Sequence, residues 1–218
     1  NTIVAPLPGN KFLLAGGEGG VATNSSGTTA LSWIYDYATN AWSATGNLPS
    51  GTFRTCFTTT PSGRIFAAGG YNGTTWSNEL REYLVGSGTW VSRAAMLETS
   101  GRSWCSLKAY ESGGNEYLVV AGGVRALWSE VLATVERYDI TGDSWTALNN
   151  MPGVTSLHYA HLNVAANRMW VFGGFGGTQN AVYEMNLSAG TWTTATPLSA
   201  SRYNVFTGSV SLADGRVY

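Results

Sequence analysis

Short apolar runs alternate with turn-forming residues along the whole chain. Phe12-Leu13-Leu14-Ala15, Ile65-Phe66-Ala67-Ala68, Tyr117 to Ala121 and Met169-Trp170-Val171-Phe172 each sit between turn signals. Runs of this length read as buried strands. A turn precedes each one: Pro8-Gly9-Asn10, Pro61-Ser62-Gly63, Gly113-Gly114-Asn115 and Ala166-Asn167. Upstream of the turn lies a second strand-like segment, such as Arg54 to Thr58, so the two predict a hairpin. No stretch carries sustained helical periodicity. Each apolar run ends in a glycine pair, at Gly16-Gly17, Gly69-Gly70, Gly122-Gly123 and Gly173-Gly174, with a period of 51 to 53 residues. Such a period marks stacked or circularly arranged copies of one small unit.

After each pair comes a variable loop, then a third strand. Tyr35, Tyr83 and Tyr138 stand in that strand, each seven residues before a tryptophan (Trp42, Trp90, Trp145), and Met185 takes the place before Trp192. The tryptophan opens a fourth strand. Units of four strands near 50 residues predict an all-β propeller of four-stranded antiparallel blades. The glycines, lacking Cβ, allow unusual dihedrals and close backbone approach at the end of the second strand. The tryptophans are expected to fill the wedge between adjacent sheets, where each would bury ~150–250 Å². These residues are assigned to architecture rather than to a site.

Gly69-Gly70-Tyr71-Asn72-Gly73, Val135-Glu136-Arg137-Tyr138-Asp139 and the spaced tryptophans resemble the kelch repeat over nearly the whole chain. The repeats run at approximately 1–49, 50–97, 98–152 and 153–198, with a partial fifth at 199–218. Four units and a fraction predict an incomplete ring, part of a longer propeller of six or seven blades. The alternative is a closed ring whose two termini share one blade. In the incomplete ring the open surface would be covered by further blades of the same chain or by a neighbouring subunit.

Composition narrows the function classes. The formal net charge is −1 and only 11% of residues are charged, which gives no case for nucleic acid. No apolar run approaches the ~20 residues of a membrane-spanning helix, so no membrane insertion is expected. Sequons at Asn24, Asn72 and Asn186, with low charge and abundant Gly, Ser and Thr, favour an extracellular or secreted glycoprotein. Cys56 and Cys105 fall in the first strands of consecutive repeats. The expectation is free, buried thiols, with a Cys56–Cys105 disulfide as the alternative, because neighbouring inner strands are often further apart than the ~4.4–6.8 Å Cα separation a bridge requires.

Catalytic motifs are absent: there is no Gly-x-Ser-x-Gly, no HExxH, no phosphate loop and no cysteine pair at zinc spacing. Asp36 and Asp139 follow the repeat tyrosines, where Asx turns account for them. Ser201-Arg202-Tyr203 … Asp214-Gly215-Arg216-Val217-Tyr218 is similar to repeat segments of galactose oxidase-like copper radical oxidases, which use kelch propellers. That resemblance implies a cysteine cross-linked to a tyrosine one blade on, a second tyrosine and two histidines. Cys56 could serve as the cysteine, but Trp104 stands where the tyrosine is needed. His158 and His161, three apart in a predicted strand, should point to opposite faces. No catalytic residue, metal or cofactor is therefore assigned. Arg54, Arg102 and Arg202 are read as equivalent positions at the start of the first strand, with His158 in that place in the fourth repeat. The kelch resemblance implies that these residues and the loops carrying Tyr71, Trp76, Arg125, Trp128 and Phe175 form one ligand-binding face. Arginine and aromatic side chains are enriched in binding hot spots. The expected function is a binding or structural assembly module for a protein or glycan; a fragment of a propeller enzyme, either such an oxidase or a sugar-processing kelch enzyme, is the alternative.

Overall fold

The computed structural model describes residues 2–19, 27–125 and 129–203. The chain divides into two compact units, Asn1–Ser103 and Trp104–Tyr218. Trp128, Asn24 and the fifth repeat beyond Tyr203 lie outside the described residues.

The first unit holds two antiparallel sheets of four strands, each in simple up-and-down order. One is β1 (Ile3–Leu7), β2 (Lys11–Ala15), β3 (Ser32–Asp36) and β4 (Ala41–Ala44); the other is β5 (Cys56–Thr59), β6 (Ile65–Ala68), β7 (Leu80–Leu84) and β8 (Thr89–Arg93). In the second unit, β9 (Ser106–Ser112) and β10 (Asn115–Ala121) are followed by a two-stranded hairpin, β11 (Val124–Arg125) and β12 (Glu130–Val131). Strands β13 (Val135–Asp139) and β14 (Ser144–Leu148) then complete the sheet β9-β10-β13-β14. The last sheet is β15 (Tyr159–Asn163), β16 (Arg168–Phe172), β17 (Val182–Asn186) and β18 (Thr191–Ala195). These are kelch-type blades, all-β as the periodicity predicts. Among the described residues, no helix is long and apolar enough to cross a membrane.

The repeat residues meet in register. Tyr35 pairs with Trp42, Tyr83 with Trp90, Tyr138 with Trp145 and Met185 with Trp192 across the third and fourth strands. In three of the four sheets the turn between those strands is closed by an acid or amide, Asp36, Asp139 or Asn186; Leu84 takes that place in the β7–β8 turn. Asp36 Oδ1 accepts from the Ala38 and Thr39 N–H groups, and Asp139 Oδ1 from those of Thr141 and Gly142, so both aspartates are the Asx-turn residues the sequence predicts. In the first unit the core lies between the two sheets, with Ile3, Ala5, Leu13 and Ala15 facing Ile65, Ala67, Tyr83 and Trp90. In the second, Val119, Ala121 and Val135 meet Met169, Val171, Tyr183 and Met185.

The wedge-filling expectation for the tryptophans needs one correction. Trp90 and Trp145 are buried, but Trp42 is 54% exposed. Trp42 lies on the face of the first sheet turned away from the core between the sheets, with Phe12, Trp33 and Tyr35, and β4 is exposed along its whole length. Within the first unit the tryptophan fills a wedge only where the other sheet stands against it, as at Trp90.

The glycine pairs tie each sheet to the lead-in turn that follows it. The N–H of the second glycine donates to a carbonyl in the lead-in turn of the following repeat: Gly17 to Thr52 (2.8 Å), Gly70 to Arg102 (2.8 Å), Gly123 to Thr155 (2.9 Å) and Gly174 to Arg202 (2.7 Å). The first glycine is left-handed in each pair, with φ from 58 to 66°. A Cβ there would strike the same carbonyl oxygen. The pair is thus a latch that no larger residue can form.

That latch also fixes the equivalence of the lead-in turns. Thr52, Arg102, Thr155 and Arg202 occupy one position. Arg54 stands two residues further on, at the left-handed position shared by Trp104 and Leu157, and His158 one residue beyond that. Of the four residues read as equivalents, Arg102 and Arg202 do share one position, whereas Arg54 and His158 are offset from it by two and three residues. The start of the first strand locates these residues only to within a few positions, whereas the carbonyl that the glycine engages fixes the alignment.

Candidate functional site

Each unit gathers its own loop cluster beyond the glycine pairs. In the first unit, Phe53 and Tyr71 exchange backbone hydrogen bonds of 3.0 and 2.9 Å. Tyr71 also bridges to Trp76. Asn72 shapes the intervening turn by accepting the Thr74 and Thr75 N–H groups at 2.9 and 2.8 Å. This sets the Tyr71 ring edge-on to Phe53 (5.6 Å) and against Trp76 (4.5 Å). The Arg54 guanidinium covers Phe53 at 4.5 Å and reaches Tyr71 at 5.9 Å. Burial holds the Arg54 pKa below its usual value, with Glu18 and Tyr71 acting the other way.

In the second unit the loops frame a cleft of about 630 Å³. Its floor is apolar: Val131, Leu132, Val154 and Phe175. Its rim is polar, with Ser129 beside the ion pair of Arg125 and Glu130. Phe175 is pinned by donating its N–H to Ser156 at 2.7 Å and accepting from it at 3.0 Å. Gly176, at φ +103°, lets the loop close onto the Val131 side chain.

The structure therefore brings Tyr71, Trp76 and Arg54 together in one unit, and Arg125 and Phe175 in the other. It does not present Arg102 or His158 as surface residues. Arg102 is fully buried and His158 is 5% exposed, so neither offers a rim contact to a partner; Arg202 is exposed. Sequence reasoning missed Val131, Leu132 and Val154. The apolar-polar alternation of Val124-Arg125 and Glu130-Val131 was the available sign of the hairpin that carries part of the cleft.

The free-thiol expectation is corrected as well. Cys56 and Cys105 are both disulfide-bonded. The expectation placed both in first strands, at the separation usual for neighbouring inner strands. Cys56 is the first residue of β5, and Cys105 precedes β9, so both stand at lead-in turns where the chain bends.

The two histidines have separate surroundings. The His158 Nε2 lies 3.1 Å from the Ser106 hydroxyl, and the His161 ring stacks on Trp170 at 6.0 Å. Among the described residues no group of three or more His, Cys, Asp or Glu side chains could hold a metal ion. Burial, with Lys108 nearby, pushes the His158 pKa down to about 4 and lowers that of His161. The folded protein thus takes up its His158 proton later than the unfolded chain, so stability rises with pH between about 4 and 6.5. His158 alone is expected to make the protein about 2 kcal/mol less stable at pH 5 than at pH 7.5. Urea denaturation at the two pH values checks this, and His158→Gln should remove most of the difference.

The blades, the glycine latch and the Tyr–Trp pairs define the class. A family model described as Kelch motif matches residues 113–152, from the β9–β10 turn past the end of β14. In fold and in motif the chain resembles kelch-repeat β-propeller proteins. The human Kelch-like protein 34 is similar to it, 28% identical over 123 residues, covering 52% of this chain. The match spans 18% of that relative's length. Kelch repeats suggest a protein-interaction module.

Proposed function

We propose that this chain is an extracellular binding module that grips a protein or glycan partner through the loops beyond its glycine pairs. The observation that carries the reading is the cleft of the second unit. An apolar floor at Val131, Val154 and Phe175 under a charged rim at Arg125 and Glu130 suits a partner group that is apolar at its tip and polar at its flank. The Arg54–Phe53–Tyr71–Trp76 cluster adds an aromatic and guanidinium surface of the kind found in binding hot spots. The disulfide state of both cysteines supports an oxidising compartment.

The test uses arrays of secreted proteins and of glycans. A partner bound by the wild type should lose at least ~10-fold in affinity to Phe175→Ala and to Arg125→Ala, with thermal unfolding of Arg125→Ala unchanged. A partner held equally well by both variants would remove the cleft from the reading. Secretion from eukaryotic cells with a glycan on Asn72 or Asn186 would support the extracellular assignment. Export without either glycan and with free thiols would count against it.

A further inference from the structure

At the other end of the second unit's strands lies a separate crevice. It forms among the β9–β10, β15–β16 and β17–β18 turns, encloses about 260 Å³ and is lined in part by Tyr110, Tyr117, Arg137, Asn167 and Ser188. Tyr110 and Tyr117 are a cross-strand pair with ring centroids 5.4 Å apart. The Arg137 guanidinium lies 5.2 Å from the Tyr117 ring centroid. The facing wall is fixed by an amide and hydroxyl network. Asn167 donates Nδ2 to Asn186 Oδ1 (3.0 Å) and Ser188 Oγ (2.8 Å), and its Oδ1 accepts the Ser188 N–H at 3.1 Å.

The charge balance of this crevice is one-sided. Arg137 is its charged lining residue, and no carboxylate lines it. Among the described residues no ion pair joins Arg137 to an acid. Asp139, two positions along β13, commits Oδ1 to its own turn. A guanidinium held against a tyrosine ring, with its donors turned to no acid, is suited to receive a carboxylate. The half-buried Tyr117 offers ring surface to the C–H side of a sugar ring, and the remaining lone pairs of Asn167 Oδ1 and Ser188 Oγ can accept from its hydroxyl groups. The volume falls below the ~300–1,000 Å³ of pockets for drug-sized ligands, which limits the occupant to one small ring.

From this juxtaposition we propose that the crevice is a binding site for an acidic monosaccharide unit, a pyranose bearing a carboxylate, with Arg137 holding the carboxylate. The site is independent of the loop cleft, so either can fail without the other.

The probe is glucuronate, observed by saturation-transfer NMR and titration calorimetry on the full chain. Binding is expected with a Kd on the order of 1 mM, and glucose should bind at least ~10-fold more weakly. Arg137→Lys, which keeps the charge but loses the fork, should weaken glucuronate at least ~10-fold. Val164→Trp changes an exposed lining residue at the mouth without touching Arg137, and should block binding with folding intact. Phe175→Ala should leave glucuronate affinity unchanged. Equal binding of glucose and glucuronate would overturn the carboxylate assignment. Absence of glucuronate binding, or full binding by a folded Val164→Trp protein, would overturn the site.

Discussion

A Gly122→Ala protein is expected to lose about 3 kcal/mol of stability or more. Two costs combine. Gly122 has φ +62°, a left-handed conformation that disfavours any L side chain by ~1–2 kcal/mol. The added methyl would also collide with the Thr155 carbonyl oxygen, and stand 2.9 Å from His158 Cε1 and 3.2 Å from Met151 Cε. The carbonyl cannot retreat, because it also accepts the Gly123 N–H at 2.9 Å. Overpacking against fixed neighbours adds ~1–3 kcal/mol. Gly113 provides the control. It has nearly the same φ, +61°, but a methyl added there would meet nothing within 4 Å. Gly113→Ala should therefore cost only the backbone share, ~1–2 kcal/mol. Denaturant titration of both variants measures the difference, and equal losses would refute the contact argument.

Trp90→Ala is expected to cost about 3–5 kcal/mol, against about 1 kcal/mol or less for Trp42→Ala. The two residues hold the same place in consecutive repeats, so sequence alone would assign them the same importance. Trp90 is 8% exposed, packs in the core between the first unit's two sheets, and donates Nε1 to the Ser32 hydroxyl at 3.1 Å. Its removal leaves a cavity and an unpaired hydroxyl in the core. Trp42 keeps the cross-strand ring contact with its tyrosine, Tyr35 at 4.8 Å, yet more than half its surface remains in water. Truncating it forfeits one aromatic pair and little burial. Matched urea curves decide the point; comparable midpoint shifts would show that the exposed face of the first sheet contributes as much as the internal core.

The strands, their order and the Tyr–Trp pairing were legible because each depends on local pattern. Alternating burial, turn residues and a fixed spacing all act within one blade. The Asx turns at Asp36 and Asp139 were legible for the same reason. What sequence could not show depends on neighbours. Trp42 and Trp90 share a motif position and differ only in whether a sheet lies against them. Arg102 looks like a surface residue by type, yet its turn places it in the interior, while Arg54, two residues off in the true alignment, reaches the aromatic cluster. The cleft was half visible: Arg125 and Phe175 were identifiable by their loops, whereas Val131 and Val154 looked like ordinary apolar residues until the fold set them side by side.

The glycine latch has a bearing on how such chains can be cut and recombined. Each blade's hydrogen-bond acceptor is supplied by the repeat that follows, so the cooperative block is out of phase with the written repeat. The first compact unit closes at Ser103, just after the Arg102 carbonyl that receives the Gly70 N–H, rather than at the repeat boundary near residue 97. Chimeras or truncations that cross over between the lead-in turn and the first strand should keep every latch whole. Truncations that end a few residues earlier would remove the carbonyl and orphan a donor in the preceding blade.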